Sequence, residues 1–230
     1  MLTWLYSSVL KFRNYSYDNK IFKIHQVTKP VISIGNLTVG GTGKTPIVDH
    51  LLYWTRAKGI KAGVVSRGYG GSYDGVKKVP LTADPNIYGD EPCMLAMRNI
   101  DTPIYVCADR VHAANTLIGN EKVDVVIADD AFQHRRLYRD LDIVVVDLLE
   151  PKENYSSLPF GRAREPIQSM KRADVIILNK ANLVTEQQVK LIKDFLLPFC
   201  RQDCMFIQGE YRAGKIQTIF GELKDGSSNF

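Results

Sequence analysis

The chain has 230 residues, 45% hydrophobic and 24% charged, an ordinary globular composition with room for one α/β domain and a small appendage. Its formal net charge of +5 suits an anionic lipid or a phosphorylated substrate and is too weak to argue for nucleic acid. Cys93, Cys107, Cys200 and Cys204 show no C-x-x-C spacing and no histidine close by in sequence, which argues against zinc and for reduced thiols in a cytosolic protein.

In residues 2–13, Leu2, Leu5, Val9 and Phe12 recur at helical spacing, with Trp4 and Leu10 beside them. Lys11, Arg13, Lys20 and Lys23 follow. An aromatic, apolar stripe next to basic residues predicts either a helix lying in a membrane interface or a helix packed on its own core. No apolar run reaches the ~18 residues of a membrane span. This stretch also lacks the leading positive charge and the small-residue cleavage site of a signal peptide.

Strands and helices then alternate. Val31–Ile34 is a short β-branched run stopping at Gly35, and residues 44–58 read as a helix. Residues 62–66 form a second strand, followed by Arg67-Gly68-Tyr69-Gly70-Gly71. A helix over 90–98, a strand over 104–107 and a helix over 110–117 come next. Residues 123–128, 143–146 and 175–178 are nearly continuous apolar runs, as strands buried on both faces should be. Thr185 with Gln188 three residues on fits a capping box for a helix over 185–197, and residues 205–208 form a last strand. The alternation predicts an α/β fold: a doubly wound, mainly parallel sheet in three layers. Polar, glycine-containing residues 221–230 read as a frayed end or a truncation.

The first strand runs into Gly35-Asn36-Leu37-Thr38-Val39-Gly40-Gly41-Thr42-Gly43-Lys44-Thr45. The usual phosphate loop is G-x-x-x-x-G-K-[ST]. Gly43, Lys44 and Thr45 match, but the expected first glycine is Thr38. The Gly-Gly-Thr-Gly-Lys-Thr variant resembles that of the P-loop branch containing partition ATPases and dethiobiotin synthetase, with Val39 in place of its signature lysine. Gly40, Gly41, Thr42 and Gly43 let backbone N–H groups turn toward phosphate oxygens, and the following helix, Lys44 to Pro46 onward, adds its positive end. Lys44 reaches the β- and γ-phosphates and Thr45 offers its hydroxyl to Mg²⁺. These features predict ATP and Mg²⁺ as cofactors.

The run 123–128 ends in Asp129-Asp130, an acidic strand end of the kind that holds magnesium beside a phosphate loop. Alternation along a strand predicts that the two carboxylates point to opposite sides, one to the metal and one to a partner. Arg67, Arg162 and Arg164 are candidates for contacting substrate or phosphate, since guanidinium forks suit phosphate oxygens. His134 is a candidate for orienting a carboxylate. Asn179-Lys180-Ala181-Asn182 resembles a guanine-reading N-K-x-D loop. It ends in an amide where a carboxylate would accept two hydrogen bonds from guanine, which favours ATP over GTP.

Five blocks in one order carry a family resemblance: residues 35–46; Ser66-Arg67-Gly68-Tyr69-Gly70; Gly89-Asp90-Glu91-Pro92; Asp129-Asp130-Ala131-Phe132-Gln133-His134; and Pro159-Phe160-Gly161-Arg162-Ala163-Arg164-Glu165-Pro166. Over about residues 1–180 the chain resembles the tetraacyldisaccharide 4′-kinases. The resemblance implies transfer of the ATP γ-phosphate to the 4′-hydroxyl of a tetraacylated glucosamine disaccharide 1-phosphate, peripherally at the cytoplasmic face of the bacterial inner membrane. It implies Asp90 as the base, with Lys44 and Asp129 completing the catalytic set. Thr45, Glu91, Asp129 and Asp130 would form the magnesium shell, and Tyr69 would join Arg67, His134, Arg162 and Arg164 near the glycolipid. The expected organisation is a membrane-associating helix and linker over 1–28, a kinase domain over 29–212 and a tail over 213–230. Two features depart from the family: Ala131 where many members have glycine, and no counterpart after Lys180 of a C-terminal Asp-His-His segment. The alternatives are a P-loop switch ATPase that binds a protein or membrane partner, and a catalytically incomplete kinase fragment.

Overall fold

The computed structural model describes residues 2–156, 160–212, 216–217 and 223–224, with side chains for those of residues 8–212. The first helix, α1, spans Leu2–Asp18. Then come β1 (Val31–Gly35), α2 (Lys44–Ala57), β2 (Ala62–Ser66), β3 (Lys77–Lys78), α3 (Pro85–Tyr88) and α4 (Asp90–Arg98). They are followed by β4 (Ile104–Val106), α5 (Arg110–Asn120), β5 (Val125–Asp129), β6 (Leu141–Asp147), β7 (Val175–Asn179), α6 (Glu186–Leu196) and β8 (Met205–Gly209).

The eight strands form one sheet in the order β3-β4-β2-β5-β1-β6-β7-β8. Every pairing is parallel except β3 on β4. β3 carries no apolar pattern to predict it, being two exposed lysines. It is defined only by pairing with β4 at the sheet edge, where lysines also discourage further strand addition.

Central strands bury alternate residues on opposite faces, so each contributes to two cores. Val125 and Ile127 of β5 join Val48 and Leu52 of α2 and Leu95 and Ala96 of α4. Val126 and Ala128 of the same strand face Val111, Ala114 and Leu117 of α5. Across β1, Val144, Val146, Ile176 and Leu178 pack with Val189, Ile192 and Leu196 of α6. The result is three layers: α2 and α4 on one face, α5 and α6 on the other. Such a sheet gathers the carboxyl ends of β1, β2, β5, β6 and β7 at one edge, where loops at a switch in strand order receive ligands.

α1 is fixed to this domain through polar groups. Arg13 donates to the carbonyl of Gln133 at 2.5 Å and pairs with the fully buried Glu165 at 3.3 Å. Arg135 donates to the Asn14 carbonyl and pairs with Asp18. Val9 and Phe12, from the apolar stripe, are 58% and 65% exposed. Packing of that stripe on the protein's own core is therefore not what holds the helix, at least for these two residues. Among the described residues no helix is long and apolar enough to cross a membrane. The tail lies outside the described residues except for the short pairing of Ile216–Gln217 with Leu223–Lys224.

Phe132 joins core and site. It is fully buried, it fills the space where a Cβ on Gly35 would sit, and the Arg172 guanidinium lies 4.3 Å from its ring centroid. Phe132→Ala should lower the unfolding free energy by about 3–5 kcal/mol through the cavity it leaves, measured by urea denaturation followed by circular dichroism.

Candidate active site

β1 ends at Gly35 and α2 begins at Lys44, so residues 36–43 form the loop between them. The cap of α2 is Gly43, with φ 86° and no side-chain capping bond. The first N–H groups of the helix are thus left without a side-chain cap and suit an anion. A side chain at Gly43 is excluded twice: by the positive φ, and by Asn179 Nδ2 only 2.4 Å from where Cβ would lie. Asn179 earns that position by donating to the Thr42 carbonyl at 3.0 Å. Residues 179–182, which resemble a guanine-reading loop, are engaged within the protein. Asn182 exchanges two hydrogen bonds with the backbone of Tyr211, and Lys180 pairs with Asp147.

Thr38 stands where the usual first glycine belongs, and the structure gives the reason. The residue is buried, its hydroxyl donates to Glu150 Oε2 at 2.6 Å, and its backbone bridges Ala163. Val39 N–H donates to the Arg162 carbonyl at 2.7 Å. The start of the loop is thus laced to residues 162–163 as extended chain, a conformation that does not need glycine. The Arg162 guanidinium lies 2.5 Å from a notional Cβ on Gly40 and 3.9 Å from Glu150. A cavity of about 170 Å³ lies over Gly40, Gly41 and Thr42, walled by Asp147, Glu150 and Arg162.

The two aspartates do not divide between opposite sides as strand alternation predicts. β5 ends at Asp129, and Asp130 turns to φ 48°, leaving the extended geometry on which alternation depends. Both carboxylates then act on Lys44. Lys44 Nζ is 3.5 Å from Asp130 Oδ1 and 3.3 Å from Asn36 Oδ1. The expected partner of the second aspartate is present: Arg164 grips both oxygens of Asp130 at 2.7 and 2.9 Å.

Their environments push the two acids apart. Burial raises the Asp129 carboxyl to about 7, with Glu91 and Asp130 adding repulsion and Lys44 and Ser66 opposing it. Burial also acts on Asp130, but the Arg164 hydrogen bonds and charge, with Lys44 and Arg110, outweigh it and bring that group down to about 2. Asp129 is fully buried. Its Oδ2 accepts from the Ser66 hydroxyl at 3.3 Å, and its Oδ1 has no protein partner among the described residues. An unpaired buried carboxylate oxygen is costly unless a cation or proton completes it. Among the described residues no three His, Cys, Asp or Glu side chains converge on a metal position. That is compatible with Mg²⁺, which takes one or two carboxylates and fills its remaining positions with water and phosphate.

Asp90 and Glu91 open α4, both exposed. The preceding Gly89, at φ 88°, lies so close to the turn after β2 that a Cβ would meet the Tyr69 carbonyl at 2.7 Å. This contact sets Arg67 and Tyr69, both exposed, beside the start of α4. Thr45 is buried in the first turn of α2, and Pro46 is tolerated there because a first-turn residue needs no N–H. Pro159 lies outside the described residues. His134 is not part of the aspartate cluster: its surroundings are Arg110, Asp109, Arg139 and Arg13.

Three residues of the site escape motif reading. Asn36 is fully buried and contacts both Lys44 and Arg164. Arg110, at the start of α5, is buried, approaches the Asp130 carbonyl at 3.5 Å, and has its pKa lowered chiefly by burial. Ser66 ends β2 against Asp129. Only Ser66 and Asn36 carried a signal, as polar residues at apolar strand ends.

A family model described as tetraacyldisaccharide-1-P 4′-kinase matches residues 1–217. A tetraacyldisaccharide 4′-kinase of Bdellovibrio bacteriovorus is 43% identical over 198 residues, covering 84% of this chain and 57% of that one. Its counterpart in Chlorobaculum parvum is 44% identical over 183 residues, covering 76% and 51%. The crystal structure of LpxK from Aquifex aeolicus in complex with ATP superposes with a TM-score of 0.70 at 34% identity, over 82% of this chain and 58% of that one. The chain thus spans about half the length of the curated relatives it matches.

Gly41 has open space around its missing Cβ, unlike Gly43. Titration with a fluorescent ATP analogue should show binding retained in Gly41→Ala and lost in Gly43→Ala. His134 gives a pH prediction. Burial first, then Arg110, lowers its pKa from 6.5 to about 4, so as pH falls the unfolded chain takes the proton before the folded one does. The stability this group allows is complete above about pH 6.5 and is lost as pH falls toward about 4. In melting curves across this range, His134→Asn should show a shallower loss than the parent chain.

Proposed function

The chain belongs to the tetraacyldisaccharide-1-P 4′-kinase family, and from that membership and its site we propose that it transfers the γ-phosphate of ATP to the 4′-hydroxyl of a tetraacylated glucosamine disaccharide 1-phosphate. The observation that carries the proposal is the meeting of Lys44, Asp129 and Asp130 at an uncapped helix start. This is the layout of phosphoryl transfer, where catalysis is mostly positioning and charge stabilisation.

In this reading the N–H groups at the start of α2 hold the phosphates, and Lys44 leaves Asp130 and Asn36 to neutralise the transferred group. Thr45, Asp129, Asp130 and Glu91 are the oxygen donors available to Mg²⁺, and the unpaired Asp129 Oδ1 is the best placed of them. Magnesium, when bound, would offset charge on the phosphate oxygens and favour the ionised form of Asp129. Asp90, exposed at the head of α4, takes the proton of the sugar hydroxyl. Arg67, Tyr69 and Arg162 border the space where the glycolipid would enter. Arg164 serves Asp130 and keeps it ionised. Residues 1–28 would seat the protein on the cytoplasmic face of the inner membrane, with Val9 and Phe12 turned outward.

With γ-labelled ATP and the glycolipid acceptor, label should appear on the lipid; label found only as free phosphate would make the chain a switch ATPase instead. Lys44→Ala should reduce turnover by about 10²–10³-fold, as loss of a charge-stabilising donor does. Asp90→Ala should leave ATP binding unchanged and reduce kcat by about 10²–10⁴-fold. Lost ATP affinity with turnover intact would remove Asp90 from its role.

A further inference from the structure

The loop's one fully buried amide touches Lys44 and Arg164, the two cations that also pair with the Asp130 carboxylate. Asn36 follows β1 directly and is 0% exposed. Its Nδ2 donates to the Thr38 carbonyl at 2.8 Å, which fixes the orientation of the amide and leaves Oδ1 as an acceptor. Oδ1 accepts from Lys44 Nζ at 3.3 Å and from Arg164 Nη2. The main-chain carbonyl of Asn36 accepts from Gln133 Nε2 at 2.8 Å and from Arg164 Nη2 at 3.3 Å. Asp130 holds the same two cations from the other side, at 3.5 Å for Lys44 and 2.7 Å for Arg164.

We propose that Asn36 is a positioning residue for phosphoryl transfer: a neutral acceptor that shares Lys44 and Arg164 with Asp130 and keeps the lysine weakly held and aimed at the loop. This rests on the kinase reading of the site and adds to it a reason for an amide here. Lys44 must change partners when phosphate arrives, so its resting partners must hold it in place without outcompeting phosphate. One carboxylate already faces it. A second charge at residue 36, which is fully buried, would hold the lysine more firmly and repel an incoming phosphate, since charges interact more strongly where burial lowers the local dielectric. A carboxylate would also lack the Nδ2–H that meets the Thr38 carbonyl. An aliphatic side chain would remove the neutral acceptor that Lys44 and Arg164 share.

The test uses the full chain with Asn36→Asp and Asn36→Ala, each shown to be folded by its melting transition. ATP and ADP affinities are measured by titration. Asn36→Asp should weaken ATP by at least about tenfold and ADP by less, because ATP carries the extra charge that meets the new carboxylate. Asn36→Ala should also draw the ATP/ADP affinity ratio toward one, and should lower kcat by about ten- to a hundredfold through misplacement of Lys44. A merely structural role would weaken both nucleotides together, in step with lost stability. An unchanged ATP/ADP ratio in either folded variant overturns the proposal. Should Asn36→Asp fail to fold, Asn36→Ala alone decides. Failure of the kinase reading looks different: the parent chain binds ATP, the variants shift the ratio as expected, and no label reaches the glycolipid.

Discussion

The site depends on a local charge balance among partly and fully buried groups. Two consecutive aspartates sit at the end of the central strand β5, one fully buried, and a lysine and an arginine are brought to them from distant parts of the chain. Buried charges of one sign are tolerated only where opposite charges and hydrogen bonds answer them. Arg164 answers Asp130 with two bonds and holds it ionised. Asp129, with Ser66 on one oxygen and no partner on the other among the described residues, is pushed up to about 7 by burial. One acid is therefore satisfied by the fold and the other is left for a cation to complete.

Packing is what makes this balance possible. Parallel strands buried on both faces carry most of their polar residues near their ends, and the order of the strands gathers those ends at one edge. Gly35 permits Phe132 to close over the start of the loop, and Phe132 leads directly into Gln133, which anchors the Asn36 carbonyl. The 162–164 segment contributes twice, lacing the loop entry through backbone pairing and supplying Arg164 to the acids. Core and chemistry are thus separated by only one or two residues along several strands.

Much of this was legible in the sequence for a physical reason. Fully buried parallel strands are continuous apolar runs, and a phosphate loop has few ways to be written, so β1, β2, β5, β6 and β7 and the 40–46 segment stand out. β3 does not, because two lysines at a sheet edge become a strand only by pairing with β4. The direction of Asp130 was missed because alternation holds only in extended backbone, and aspartate is among the few residues that enter the left-handed region readily. Arg110 has no motif; its importance comes from where α5 begins. Asn36 was visible as part of a block, but its two cation contacts are made by residues 8 and 128 positions away.

Thr38 and Glu150 lie 112 positions apart and share a buried 2.6 Å hydrogen bond. Losing the hydroxyl leaves one oxygen of a buried carboxylate without its donor, and losing the carboxylate strands the hydroxyl. A change at either position is therefore felt at the other. The two act as one unit across the chain: glycine at residue 38 would leave Glu150 held by Asn154 and the more distant Arg162 only on its other oxygen.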